Sequence, residues 1–126
     1  EPIAARMAGG ILKLIGYTAA EIEKIQHMIL STDLERRPKT HLEEILCDAD
    51  LDHLGRVDFF ELDGKLREGR RARGVDVGDD EKWYKGTLDL MQSHHYYTVS
   101  QKKLRERQKQ KNIRIIIKKL ENIVPK

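Results

Sequence analysis

The sequence has one cysteine and three prolines in 126 residues, and aromatic side chains make up only 6% of it. Each scarcity excludes something. A lone Cys47 forms neither an internal disulfide framework nor a cysteine-based zinc site, and a reducing cytoplasm is the simplest home for such a chain. Pro2, Pro38 and Pro125 stand where chain ends and a loop are expected, so no proline interrupts a long helical stretch. No apolar run approaches the roughly 18 residues of a membrane span. The opening "EPIAARMAGG" lacks the basic flank and apolar core of a signal peptide. No segment alternates apolar and polar residues as a half-buried strand does, and no internal repeat or low-complexity tract stands out.

What is present is helical periodicity and charge. The net charge is +3 and the pI about 9.0. From Ser100 onward Lys and Arg greatly outnumber Glu, and the rest of the chain is on balance acidic. Such asymmetry suits either an anionic partner or a solvated helix face.

Ile3, Met7, Ile11, Leu14 and Ile15 form one stripe and predict a helix over about Ile3 to Leu14, stopped by Gly16. Thr18 with Glu21 makes a capping box for a second helix, with Ile22, Ile25, Ile29 and Leu30 as its buried face. "STDLERRPK" reads as a loop. Thr40 with Glu43 repeats the box ahead of Leu42, Ile45, Leu46 and Ala49. Gly55 breaks that helix, and Asp58 with Glu61 makes a third cap-like pair before "FFELDGKLREGRRA". After the turn-rich "RGVDVGDD", a helix over about Glu81 to Ser93 carries Trp83, Leu88 and Met91. Thr98 or Ser100 caps a short turn. A last helix, about Gln108 to Ile123, carries Ile113, Ile116, Ile117, Leu120 and Val124. The fold expected is all-α, an irregular or orthogonal bundle of about six helices in a single helical domain over residues 1–126.

One stretch is chemically odd. "ILCDADLDHLG" puts Asp48, Asp50 and Asp52 at alternate positions in an apolar run, and an unpaired carboxylate is costly to bury. Counted from Asp50, the oxygen-bearing residues Asp50, Asp52, Asp58 and Glu61 and the turn residue Gly55 fall close to EF-hand offsets, which suggests a calcium loop. Leu54 occupies a position where an oxygen ligand normally sits, and no second such loop is present to pair with it. If the helix continues to His53, Asp48 and Asp52 lie about 40° apart and Asp50 points to the other side. One carboxylate then faces an internal site while its neighbours face water. All three at a solvated helix end is the bland alternative.

"EEILCDADLDHLGRVDFFEL" is similar to the final metal motif of the HD-domain phosphohydrolases, all-helical enzymes that hydrolyse phosphate esters with a divalent metal. "IAARMAGGILKLIGYTAAEIEKIQHMILST" resembles the two helices before that motif in a bacterial branch of the family, and "MQSHHYYTVSQKKLRERQKQKN" resembles its closing segment. The likeness covers nearly all of the chain. It implies an HD-domain-like fold, with the Ala-Asp pair of the motif falling on Ala49 and Asp50. Asp50 would be a metal ligand, with Asp48 as a partner behind it. The family's other main ligands are a histidine and a His-Asp dipeptide. This sequence has no such dipeptide, and His27, His41, His53, His94 and His95 do not fall where those ligands belong. The resemblance is therefore to the C-terminal part of an HD protein, and magnesium, manganese or another transition metal is expected to bind only with upstream ligands. One aspartate does not make a site that activates water.

The remaining candidates concern phosphate. By resemblance to the closing segment, His94 lines a phosphate pocket; otherwise "HHYYT" is a helix terminus with packed tyrosines. Lys102, Lys103, Arg105 and Arg107 suit the phosphates of a small phosphorylated substrate. Nucleic acid is not the expected partner, because little aromatic residue interleaves with the basic run after Tyr97. Cys47 reads as a small apolar residue, since nothing supplies it with a base. Trp83 and Tyr84 read as packing residues, and Phe59 and Phe60 dock the fourth helix. A chain resembling part of a domain is also expected to leave helix faces exposed, through which copies could pair. A non-catalytic helical interaction module is the alternative to a phosphohydrolase part.

Overall fold

Local signals account for most helix ends. In the computed structural model, which describes residues 1–34 and 36–123, α1 spans Pro2–Leu14 with a proline in its first turn, where the missing N–H costs nothing. Gly16 ends it at φ +95°. The Tyr17 N–H then reaches the Leu12 carbonyl at 3.0 Å and the Gly16 N–H the Lys13 carbonyl at 3.4 Å, a Schellman closure. α2, Ala19–Leu30, begins with the predicted capping box. Thr18 Oγ1 accepts from the Glu21 N–H, and Glu21 Oε1 accepts from the Thr18 N–H. α3, His41–Asp50, starts the same way: Thr40 Oγ1 accepts from the Glu43 N–H, while Glu43 Oε2 takes the N–H groups of Thr40 and Lys39. That is why Glu43 can be buried.

A 3-10 turn over Asp52–Gly55 follows, then α4 over Phe59–Ala72, α5 over Asp80–Ser93 and α6 over Val99–Ile123. The protein is all-α, with six α-helices and no strand among the described residues. Chain contacts divide it into two compact units, Glu1–Asp50 and Leu51–Lys126.

In the first unit α1 and α2 pack together, and Gln26 Nε2 donates to the Ala5 carbonyl at 3.0 Å. The expectation of a buried α2 face fails here, and exposed helix faces are present. The α1 stripe is not covered: Ile3, Met7, Ile11, Leu14 and Ile15 are all exposed, Leu14 at 88%. The α2 stripe is only half-buried, and Leu42 and Ile45 of α3 are exposed. Periodicity assigns a helix its apolar face but says nothing of whether a partner covers it.

The second unit closes a core of its own. Leu54, Phe59, Met91, Ile113 and Ile116 form it, with Phe60, Leu88 and Leu120 packed against it, and Tyr96 is fully buried. Ile117 of the expected stripe is partly exposed, and Val124 lies outside the described residues. The last helix is longer than predicted. It is one continuous helix from Val99, because Thr98 Oγ1 accepts the Gln101 N–H and so caps α6 itself rather than a separate turn. The expected cap at Asp58 does not form: its carboxylate is held by Arg56 Nε at 2.8 Å and Nη2 at 3.0 Å. Gly55 does more than break a helix. A Cβ there would come 2.5 Å from the Arg105 carbonyl oxygen, so glycine lets the 3-10 turn lie directly on α6.

Candidate anion-binding site

α3 ends at Asp50 instead of running on to His53. The cause is tertiary. Tyr96 Oη donates to the Leu51 carbonyl at 2.9 Å and reaches that of Asp52 at 3.3 Å. Asp52 Oδ1 accepts from Gln101 Nε2 and Arg105 Nε, both at 2.7 Å. These contacts with residues some fifty positions away draw the chain into the turn. Burial alone would push the Asp52 carboxyl up. The hydrogen bonds from Arg105 and Gln101 and the charges of Arg105 and Arg56 outweigh it and hold the group below the usual carboxylate range.

The three aspartates therefore have three different environments. Asp48 is buried at 3% exposure, Asp50 is exposed at the last turn of α3, and Asp52 is bound to α6. Three of the four carboxylates counted for a calcium loop are held by cations: Asp58 by Arg56, Asp52 by Arg105 and more distantly by Arg56, and Glu61 by Lys65. Leu54 points into the core. Among the described residues no group of three or more His, Cys, Asp or Glu could hold a metal ion. The donor set of this chain alone does not fit a divalent metal with an open position.

The basic segment gives a clearer site. A cleft of about 410 Å³ lies between residues 55–58 and α6. Arg56, Lys103, Arg105, Arg107 and Lys111 line it, against one acid, Asp58. Arg56 and Arg105 are occupied by Asp58 and Asp52. Lys103, Arg107 and Lys111 are exposed and make no ion pair among the described residues. Spaced four residues apart, they fall within about 80° of arc on α6, and Arg114 and Lys118 continue the same ridge. The buried residues Lys109, Asn112, Ile113 and Ile116 take the opposite face.

Three of the phosphate candidates, Lys103, Arg105 and Arg107, thus meet in one cleft, and Lys102 and His94 are not among its lining residues. His94 instead lies beside a buried lysine. Lys109, 2% exposed, donates to the His94 carbonyl at 2.9 Å. It also lies 3.3 Å from His94 Nδ1 and 3.2 Å from Glu106 Oε2. Its ammonium faces the Tyr96 ring at 5.2 Å, so its burial is compensated on several sides. The His94 ring is spent inside the fold. Cys47 is half-buried; burial pushes its thiol up, and Sγ donates to the Ser31 carbonyl at 3.0 Å, as suits an inert residue.

Sequence reasoning missed Arg56 and Lys111. The spacing Lys103, Arg107, Lys111 could have found the lysine; only the fold brings Arg56 to it. It also missed Asp63, the second acid of "FFELDGK", which is buried and bonded to Trp83.

No protein-family model, curated protein or solved structure matches the chain. No helix among the described residues is long and apolar enough to cross a membrane.

Proposed function

We propose that this chain is the C-terminal part of an HD-type, metal-dependent phosphohydrolase of the cytoplasm. Its own contribution is to hold the phosphate of a small phosphorylated substrate in the cleft beside α6. The observation that carries this reading is the cleft: Lys103, Arg107 and Lys111, one helical turn apart and unpaired, line a cavity large enough for a phosphate ester. Phosphate contacts of this kind need cations free to turn toward the ligand. The "CDADLD" motif supports the family. In this reading Asp50 is one ligand of a magnesium, manganese or other transition ion, backed by Asp48. The remaining ligands come from outside residues 1–126, and the chain alone does not hydrolyse substrate.

The test is melting of the chain with inorganic phosphate, and separately with calcium, magnesium and manganese. Phosphate should raise the melting temperature, because linkage stabilises whatever binds the folded state. A Lys103→Gln/Lys111→Gln variant should lose that rise. An unchanged melting point in phosphate sinks the reading. So does a calcium-specific rise that Glu61→Ala removes, which would restore the calcium loop.

The exposed stripe of α1 favours a second reading, a helical interaction module in which that face pairs with a second copy. Sedimentation at high concentration decides it: self-association weakened by Met7→Ser supports it, and a concentration-independent monomer excludes it.

A further inference from the structure

A second cavity, of about 330 Å³, is lined by α4, α5, the segment joining them, and His53 and Leu54 of the 3-10 turn. That volume is at the lower end of small-molecule sites. It shares no lining residue with the cleft beside α6 and is independent of the phosphohydrolase reading.

Asp63 lines this cavity at 6% exposure. Its Oδ2 accepts from Trp83 Nε1 at 2.8 Å. Its other oxygen makes no hydrogen bond among the described residues. Burial pushes the carboxyl up, and the Trp83 bond and the charges of His53, Arg67 and Arg70 offset that only in part. A side chain needed only to anchor the indole would use one oxygen and require no charge. Asp63 keeps a second acceptor at the cavity wall, at a real desolvation cost.

The rest of the lining narrows what that acceptor meets. Leu54, Leu66, Val77 and Leu90 are apolar. Arg70, Lys82 and His53 also line the cavity, as does a second acid, Asp76, whose Oδ1 accepts from the Gly78 N–H at 2.9 Å, and the guanidinium groups of Arg67 and Arg70 lie 5.6 and 5.7 Å from the centre of the Trp83 ring. These cations disfavour a cationic ligand. The complement is a neutral, flat head that donates N–H, joined to an anionic tail.

We propose that the cavity between α4 and α5 binds a nucleoside monophosphate, the base donating N–H to Asp63 and the phosphate meeting Arg70 and Lys82. A base with two adjacent N–H donors on one edge, as guanine has, satisfies a carboxylate. Adenine sets a ring-nitrogen lone pair against it. The site therefore prefers GMP to AMP.

Trp83 is the only tryptophan in the chain, so its fluorescence reports this cavity alone. Titration of the intact chain with GMP should give a saturable change, with AMP binding about tenfold more weakly, the size expected from one charge-assisted hydrogen bond. Asp63→Asn keeps an oxygen for the indole N–H but turns a donor toward the ligand, so the preference for GMP should vanish or reverse. Arg70→Gln, on an exposed position, should weaken both nucleotides alike and leave the preference intact; it keeps the test informative if Asp63→Asn fails to fold. No change with GMP up to millimolar concentration overturns the proposal. Equal binding of GMP and AMP overturns it too, as does a preference that survives Asp63→Asn.

Discussion

Residues 51–126 bury Leu54, Phe59, Met91, Tyr96 and Ile116 to 1% exposure or less, whereas in residues 1–50 the one buried apolar side chain among those described is Ala5. The two regions are alike in helical patterning. They differ in where their order comes from. In the second, helices 3-10, α4, α5 and α6 enclose side chains from distant parts of the chain, and polar groups such as Asn112 are drawn in to satisfy the Leu54 and Arg56 carbonyls at 2.9 and 3.0 Å. In the first, order rests on local devices, the two capping boxes and the Schellman turn, each stabilising by about 1 kcal/mol. The difference teaches that both candidate ligand sites belong to the region that can hold a fixed shape. The first region offers a surface instead.

A pair of substitutions would break that comparison if it is wrong. Phe59→Ala removes a fully buried ring from the centre of the core and should cost about 3–5 kcal/mol, a large part of the stability of a small domain. Ile11→Ala, on the exposed face of α1, should stay within about 0.5 kcal/mol. Chemical denaturation followed by helical circular dichroism and by Trp83 fluorescence measures both. Equal losses in the two variants would show that the α1 stripe is covered in solution.

The same contrast explains what the sequence disclosed. Thr18 with Glu21, Thr40 with Glu43 and Gly16 were legible because a cap or a stop is a short-range device whose partners lie within five residues. The α5 helix was legible from Trp83, Leu88 and Met91, but its cap was not: Asp79, read as loop, accepts from the Lys82 N–H at its start. Asp58 with Glu61 failed as a cap because Arg56, equally near, competes for the carboxylate with a full charge. The end of α3 and the single length of α6 depend on Tyr96, Gln101 and Arg105 reaching the Leu51–Asp52 segment, and no window of a dozen residues contains that information. The site divides similarly. Lys103 and Arg105 announced themselves by charge. Arg56 joined them only through folding, and Asp63 looked like any surface acid until α5 placed Trp83 against it.

A smaller effect sharpens the comparison within the second region. Asp52 is half-buried and Asp63 buried, and their carboxyls are shifted in opposite directions. The Asp52 carboxyl, with 27% of its side chain exposed, is held below its unfolded value of about 3.9. Its contribution is fully present above that value and is lost as pH falls through the folded value, because the unfolded chain then binds the proton more readily. The Asp63 carboxyl is raised. Its charge costs stability at neutral pH, and the cost is relieved as pH falls through the folded value. Asp52→Asn should therefore cost on the order of 1 kcal/mol at pH 7, the worth of its charged hydrogen bonds after partial solvent screening. It should also flatten the loss of stability between about pH 5 and the acid limit. Asp63→Asn should leave neutral stability unchanged or slightly higher and make the acid loss steeper, since the opposing group is gone. Denaturation midpoints from pH 3 to 7 for the two variants distinguish these signs. Parallel curves for both would mean that the Arg105 and Gln101 hydrogen bonds do not set the Asp52 titration, and that the anchoring of the turn to α6 rests on Tyr96 and Asn112 instead.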